Sequence, residues 1–247
     1  LTKKYASVVA NPPYMGQKSM NGELKQYVNA HYPLTKSDLF AVFMEVIPNL
    51  TANDSRFALI NLPSWLFLSS FEKIRKDYID KYTFDSLLHM GRGIFGIDFG
   101  SVAFTIKKTA KNNAVGSYFR LHERNFQHIY FEDIEKLFLY SNNNEDYKYD
   151  FRQYRGEEGI TEIPNQGTSS GLKLFYPNIT QTNFSKIPGS PIAYWLSPQV
   201  FTLYNSVEPI SGTFKVSVGL QTGNNSKYLR DWFEVNMFTI DFSHDPY

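Results

Sequence analysis

The sequence has 247 residues, and 25 Lys+Arg against 24 Asp+Glu leave a formal charge of +1. That length buries a sizeable core, the balanced charge excludes a histone-like, purely electrostatic nucleic-acid binder, and the absence of cysteine excludes disulfide scaffolds, thiolate zinc sites and a cysteine nucleophile. The 21 Phe, 17 Tyr and 3 Trp suit either a large core or stacking on flat ligands.

In chain order, Tyr5–Ala10 (YASVVA) reads as a short strand, ended by Asn11-Pro12-Pro13, because consecutive prolines remove two backbone donors. Residues 15–36 read as a polar, lysine-bearing loop. Ser37-Asp38 then opens a helix with Leu39, Phe40, Val42, Phe43, Val46, Ile47 and Leu50 at helical spacing, and Asn53-Asp54-Ser55 is the expected stop. Residues 57–62 (FALINL) form a buried strand, residues 69–82 an amphipathic helix, and residues 84–90 and 101–106 two strands flanking a glycine-rich stretch. The order strand, helix, strand, helix, strand, strand is α/β with a hairpin-like finish.

Further on, residues 117–121 read as a strand and 131–140 as a helix. Residues 141–146 and 156–171 look like linker, and short runs broken by proline come after them. The expected division is residues 1–115, a connecting region over 116–165, and a third region over 166–247. Residues 1–36 hold five Lys and one Glu, a net +4, whereas residues 120–160 hold six basic and nine acidic side chains, a net −3.

Asn11-Pro12-Pro13-Tyr14 comes directly after a strand, where open α/β sheets place ligands. An Asn oxygen and the Pro12 carbonyl are two acceptors for one amino group, stiffened by Pro13, and Tyr14 offers a face to a base. An ordinary strand-ending turn has the same residues.

This turn resembles motif IV, (D/N)PP(Y/F/W), of the amino-methyltransferases that use S-adenosylmethionine. Residues 37–50 (SDLFAVFMEVIPNL) are similar to the motif V helix and residues 57–67 (FALINLPSWLF) to the next strand. Residues 84–95 and 102–108 (FDSLLHMGRGIF, VAFTIKK) are similar to the strand–loop–strand of motif VIII. About 110 residues thus resemble the DNA adenine-N6 branch. The resemblance implies the C-terminal half of a Rossmann-like methyltransferase sheet, followed by a partial, mixed α+β target-recognition domain. It also implies a flipped adenine between Tyr14 and Phe95, with Phe99 the less favoured second face. Flipping costs a few kcal/mol, and stacking returns roughly 1–3 kcal/mol per face.

Residues 187–197 (IPGSPIAYWLS) and 218–235 (VGLQTGNNSKYLRDWFEV) look like PglX-type methyltransferases of BREX phage defence and large restriction–modification methyltransferases. In that region Gln221, Thr222, Gly223, Asn224, Asn225 and Lys227, with Arg230 nearby, suit DNA contacts, as does Lys18; a solvated turn fits the first group equally. The implied partners are double-stranded DNA with a flipped adenine, and defence-system subunits. The family's F-x-G-x-G cofactor motif, which precedes NPPY, is not found. The chain, opening at Leu1 and ending at Tyr247, therefore reads as a fragment that binds S-adenosylmethionine weakly or not at all. Its first strand should present an open edge for a second chain.

No apolar run approaches the ~18 residues of a membrane helix, and no signal peptide opens the chain, so a cytoplasmic protein is expected. His31, His89, His122, His128 and His244 show no metal-ligand spacing, and there is no GxxxxGK[ST] loop. Asp38, Glu45 and Asp98 read as helix starts and surface charges. RNA or protein-glutamine methylation, and a non-catalytic DNA-recognition module, remain as alternatives.

Overall fold

The computed structural model describes residues 3–94, 100–111, 113–123, 128–156, 162–208, 212 and 214. Its main sheet contains β1 (Tyr5–Ala10), β2 (Thr51–Asn61), β3 (Thr83–Arg92), β4 (Gly100–Lys107), β5 (Val115–Arg120) and, beyond a two-stranded ribbon of β6 (Lys148–Tyr149) and β7 (Leu172–Lys173), β8 (Phe175–Thr180). The order across the sheet is β1-β2-β4-β3-β5-β8. β1 is parallel to β2 and β3 to β5, while β4 is antiparallel to both β2 and β3. The carboxyl ends of β1, β2, β3 and β5 therefore lie along one edge of a mixed α/β sheet.

The helices are α1 (Gly22–His31), α2 (Leu39–Leu50), α3 (Glu72–Lys81), α4 (Phe131–Asn143) and α5 (Pro198–Ser206). α1 falls in the stretch expected to be loop. Asn21 caps it, its side chain accepting from the Leu24 amide at 2.9 Å, but Val28 is its one buried residue, so almost no apolar stripe marks it. The stop at Asn53-Asp54-Ser55 is also displaced. α2 ends at Leu50 and β2 begins at once, with Asp54 at a φ of 58° on its exposed, irregular first half.

Strand alternation builds the core. Phe57 pairs with Ile106 and Leu59 with Phe104, while Leu87 faces Phe104 from the other side. That face packs with Trp65 and the apolar side chains of α2 and α3, including Phe40, Met44, Ile74 and Tyr78. On the opposite face, α4 and the β6–β7 ribbon pack over Phe119 and Leu121, and Ile60, Leu88 and Ala103 are only partly buried.

α2 carries a defect that α3 repairs. Pro48 has no amide hydrogen, so the carbonyl four residues earlier, on Met44, lacks its helical donor. The buried Tyr78 hydroxyl donates to that carbonyl at 2.6 Å. Tyr78→Phe should therefore cost about 1–3 kcal/mol, the penalty of a buried unsatisfied carbonyl; urea unfolding measures it, and an unchanged midpoint would contradict this reading.

By contact density residues 1–205 form one compact unit and 206–247 another. Residue 165, the expected boundary, lies inside the first. β8 pairs with β5, and the buried Gln181 side chain donates to Ile79 and Tyr82 carbonyls, both at 2.7 Å, and accepts from the Phe84 amide at 2.9 Å. One glutamine thus closes the C-terminus of α3 and the start of β3 from a position about a hundred residues away in sequence. No helix among the described residues is long and apolar enough to cross a membrane.

Candidate active site at the carboxyl edge of the sheet

The Asn11–Tyr14 turn leaves β1 at the sheet's edge strand. Among the described residues β1 pairs with β2 alone, and Val9 is 76% exposed. Pro12 is buried and Asn11 exposed, so the diproline is anchored while the amide side chain remains accessible. Asn11 lines a cavity of about 230 Å³ with Val9, Ala58, Ile60, Ala103 and Thr105, on the face of the sheet opposite α2.

Asp38 fastens the segment just beyond the turn. Its carboxylate caps α2 by accepting from Phe40 N at 3.2 Å and also accepts from Met15 N at 3.1 Å. Leu39 N donates to the Met15 carbonyl at 2.9 Å, and Gln17 N to the Ser37 carbonyl at 3.0 Å. Burial raises the Asp38 pKa, and the amides it accepts from oppose that rise. Read from sequence as a helix start, Asp38 is that and also the strut holding the turn against α2.

Tyr14 sits half-buried, its ring edge-on to Phe40 at 6.3 Å and 88°. Its hydroxyl is buried near the Ser101 hydroxyl, which weakens the rise that burial imposes on its pKa, yet neither oxygen reaches hydrogen-bond geometry. Tyr14→Phe should therefore leave stability unchanged or raise it by up to about 1 kcal/mol, since it removes a buried unsatisfied group. A loss above that, in thermal unfolding, would show that the hydroxyl does bond.

Lys18 is exposed on a single 3-10 turn, Gln17–Ser19, beside the site. Phe95 and Phe99, and Gln221, Thr222, Gly223, Asn224, Asn225, Lys227 and Arg230, lie outside the described residues. Among the described residues no three His, Asp or Glu side chains gather as metal ligands.

Two of the histidines that look scattered in sequence do meet. β3–β5 pairing aligns His89 with Arg120, and the His89 and His122 rings lie 4.2 Å apart at 70°. Gly91 makes room for this. It has a φ of +76°, and a Cβ there would stand 2.8 Å from the His122 Cβ. Burial first, then His122 and Arg120, hold the His89 pKa well below its usual value. The unfolded chain takes up a proton near pH 6.5 and the native chain does not, so stability falls as pH drops below about 6.5, by at most about 1.4 kcal/mol per unit from this group. Urea unfolding across pH should show the slope, and His89→Leu should flatten it.

The turn thus presents an exposed amide side chain at Asn11, a buried Pro12 and a half-buried Tyr14 ring at the end of a strand that runs parallel to β2. Residues 1–95 match the Eco57I restriction-modification methylase family. Nearly the whole chain is similar to curated adenine-specific methyltransferases. It is 34% identical to PglX of Lacticaseibacillus casei (strain Zhang) over 98% of this chain and 18% of that protein, and 35% identical to BrxX of Escherichia coli O9:H4 (strain HS) over 98% and 17%. The family resemblance of the NPPY turn and the segments after it is thereby borne out. The chain spans about a fifth of the length of these relatives. Among solved structures, the type I restriction-modification methyltransferase subunit from Streptococcus thermophilus aligns at 13% identity and a TM-score of 0.44, over 77% of this chain and 37% of that one. The EcoKI M protein aligns at 18% identity and 0.39, over 54% and 30%.

Proposed function

We propose that the full gene product containing this chain transfers a methyl group from S-adenosylmethionine to the N6 amino group of adenine in DNA, within phage defence or restriction–modification. The observation that carries this reading is the Asn11–Tyr14 turn, buried at Pro12 and open at Asn11, in a chain 34–35% identical to adenine-specific methyltransferases. The Asn11 side-chain oxygen and the Pro12 carbonyl accept the two amino hydrogens, which directs the nitrogen lone pair at the electrophile; Pro13 stiffens the turn. Tyr14 and Phe95 hold the flipped base between them. A neutral amine needs no base before attack: as the nitrogen–methyl bond forms the sulfur–methyl bond breaks, the sulfonium leaves as a neutral thioether, and the methylated nitrogen then gives up one proton to water.

The cofactor supplies the electrophilic methyl group. The cavity beside Asn11 is walled by small and apolar side chains with no charged group among them, so the described residues fit the amino-nitrogen end of the reaction and not the whole of S-adenosylmethionine. Calorimetric titration of this chain alone should accordingly show no micromolar binding of the cofactor. Lys18, together with Gln221, Thr222, Asn224, Asn225 and Lys227, is assigned to DNA contacts, and the open edge of β1 to pairing with another chain or with a defence-system subunit.

Expression of the full gene product in a host without adenine methylation tests this reading. N6-methyladenine should appear at one recurrent sequence context in the genome, and a genome free of it would overturn the assignment.

A further inference from the structure

A second cleft opens at the same edge of the sheet, around the ends of β2, β3 and β5. Two cavities of about 440 and 280 Å³ share Phe67, His89 and His122 in their walls and so form one cleft of two lobes. The larger lobe is otherwise mostly apolar, with Leu62, Pro63 and Leu68; the smaller adds Arg120, Glu123 and Trp195. None of residues 11–14 lines either lobe.

The walls are made for a flat, polar-edged ligand. The Phe67 ring lies 5.6 Å from Trp195 and 6.1 Å from His89, and the Arg120 guanidinium sits 5.1 Å over the Trp195 ring. Phe67 and Leu68 remain 38% and 54% exposed at the mouth, an apolar surface that a bound ring would cover. His89 is only 5% exposed, and its Nδ1 finds no hydrogen-bond partner among the described residues, a costly state that a ligand edge would relieve. Held neutral by its burial, this imidazole offers a hydrogen bond and not a charge. Glu123 adds an acceptor suited to an exocyclic amine.

Resting on the reading of DNA as the substrate, we propose that this cleft receives an unpaired nucleobase other than the adenine held at Tyr14. Its ring stacks on Phe67 and the Trp195–Arg120 pair, and its polar edge meets His89 and Glu123. The acceptor on Glu123 favours bases that carry an amino group, cytosine above thymine.

The test compares DNA affinities of the full gene product. Two duplexes each carry an abasic site in place of the target adenine, and one also carries a single bulged cytosine beside it. The protein should bind the bulged duplex at least about tenfold more tightly. Phe67→Leu should bring that ratio close to one and Phe67→Tyr should preserve it; because Phe67 is partly exposed, both variants keep the fold, as thermal unfolding can check. Asn11→Ala should leave the ratio unchanged. Equal binding of the two duplexes by a protein that still methylates DNA would overturn the cleft proposal alone. So would a ratio insensitive to Phe67→Leu, or one lost in Asn11→Ala, which would place the base in the methylation site. A protein that neither binds nor methylates DNA would overturn both readings.

Discussion

Replacing Asn11 by alanine should lower adenine methylation by the full gene product at least about 10²–10³-fold, the cost of removing one preorganised acceptor from a transition state. The side chain is exposed at the end of β1, so the unfolding midpoint should hardly move. Asn11→Asp is the informative companion. It keeps an acceptor oxygen at the same distance from the backbone, and the motif family tolerates Asp there, so much of the activity should survive. A split of this kind separates amino-group recognition from a structural role in the turn: loss of activity in both variants, together with a lowered midpoint, would point to the latter. Near-normal turnover in Asn11→Ala would remove Asn11 from the chemistry.

The largest effect on stability is expected at Arg75. The residue is 1% exposed, and among the described residues its guanidinium donates to main-chain carbonyls: Gly189 at 3.1 and 2.6 Å, Ser190 at 3.2 Å, Trp65 at 2.9 Å and Leu68 at 2.6 Å. Burial lowers its pKa, and Glu72 opposes that. A planar fork with five donors can bind two chain segments at once, and lysine cannot reproduce it. Arg75→Met should cost about 3–5 kcal/mol, since each abandoned buried carbonyl costs about 1–3 kcal/mol and relaxation recovers part of the sum. Arg75→Lys should lie between. Chemical denaturation gives both values. Because Arg75 joins the loop after β2 to residues 189–190, the variant should also lower protection from proteolysis around residues 187–197, and uniform protection would argue against the clamp.

That clamp shows why the sequence is legible only in part. The elements set by local rules are readable: β1 ends where two prolines forbid continuation, α2 starts at a capping Asp38, and alternation places Phe57 and Leu59 on the covered face. The chemistry proposed for Asn11–Tyr14 is equally local, because it is assigned to four consecutive residues. α1 escapes because one buried valine leaves no stripe to count, although Asn21 is a usable cap signal. What depends on pairing between distant segments is not readable. His89 and His122 meet only because β3 and β5 are parallel neighbours, and Gln181 and Arg75 tie residues beyond 165 into the first sheet through main-chain carbonyls, which leave no residue-type signature. The aromatic surplus divides along the same line. Phe40, Phe57, Trp65, Tyr78, Phe84 and Phe104 are core, whereas Tyr14 stays half-open and Phe67 lies exposed at the carboxyl edge.

Incubating the full gene product with duplex DNA and S-adenosylmethionine labelled in its methyl group, then resolving the nucleosides, addresses the chemistry itself. Label should be found in N6-methyladenine, and the Asn11→Ala protein should deposit at least about a hundredfold less of it. Label in a methylated cytosine, or DNA that takes up no label at all, would contradict the assignment of the Asn11–Tyr14 turn to adenine.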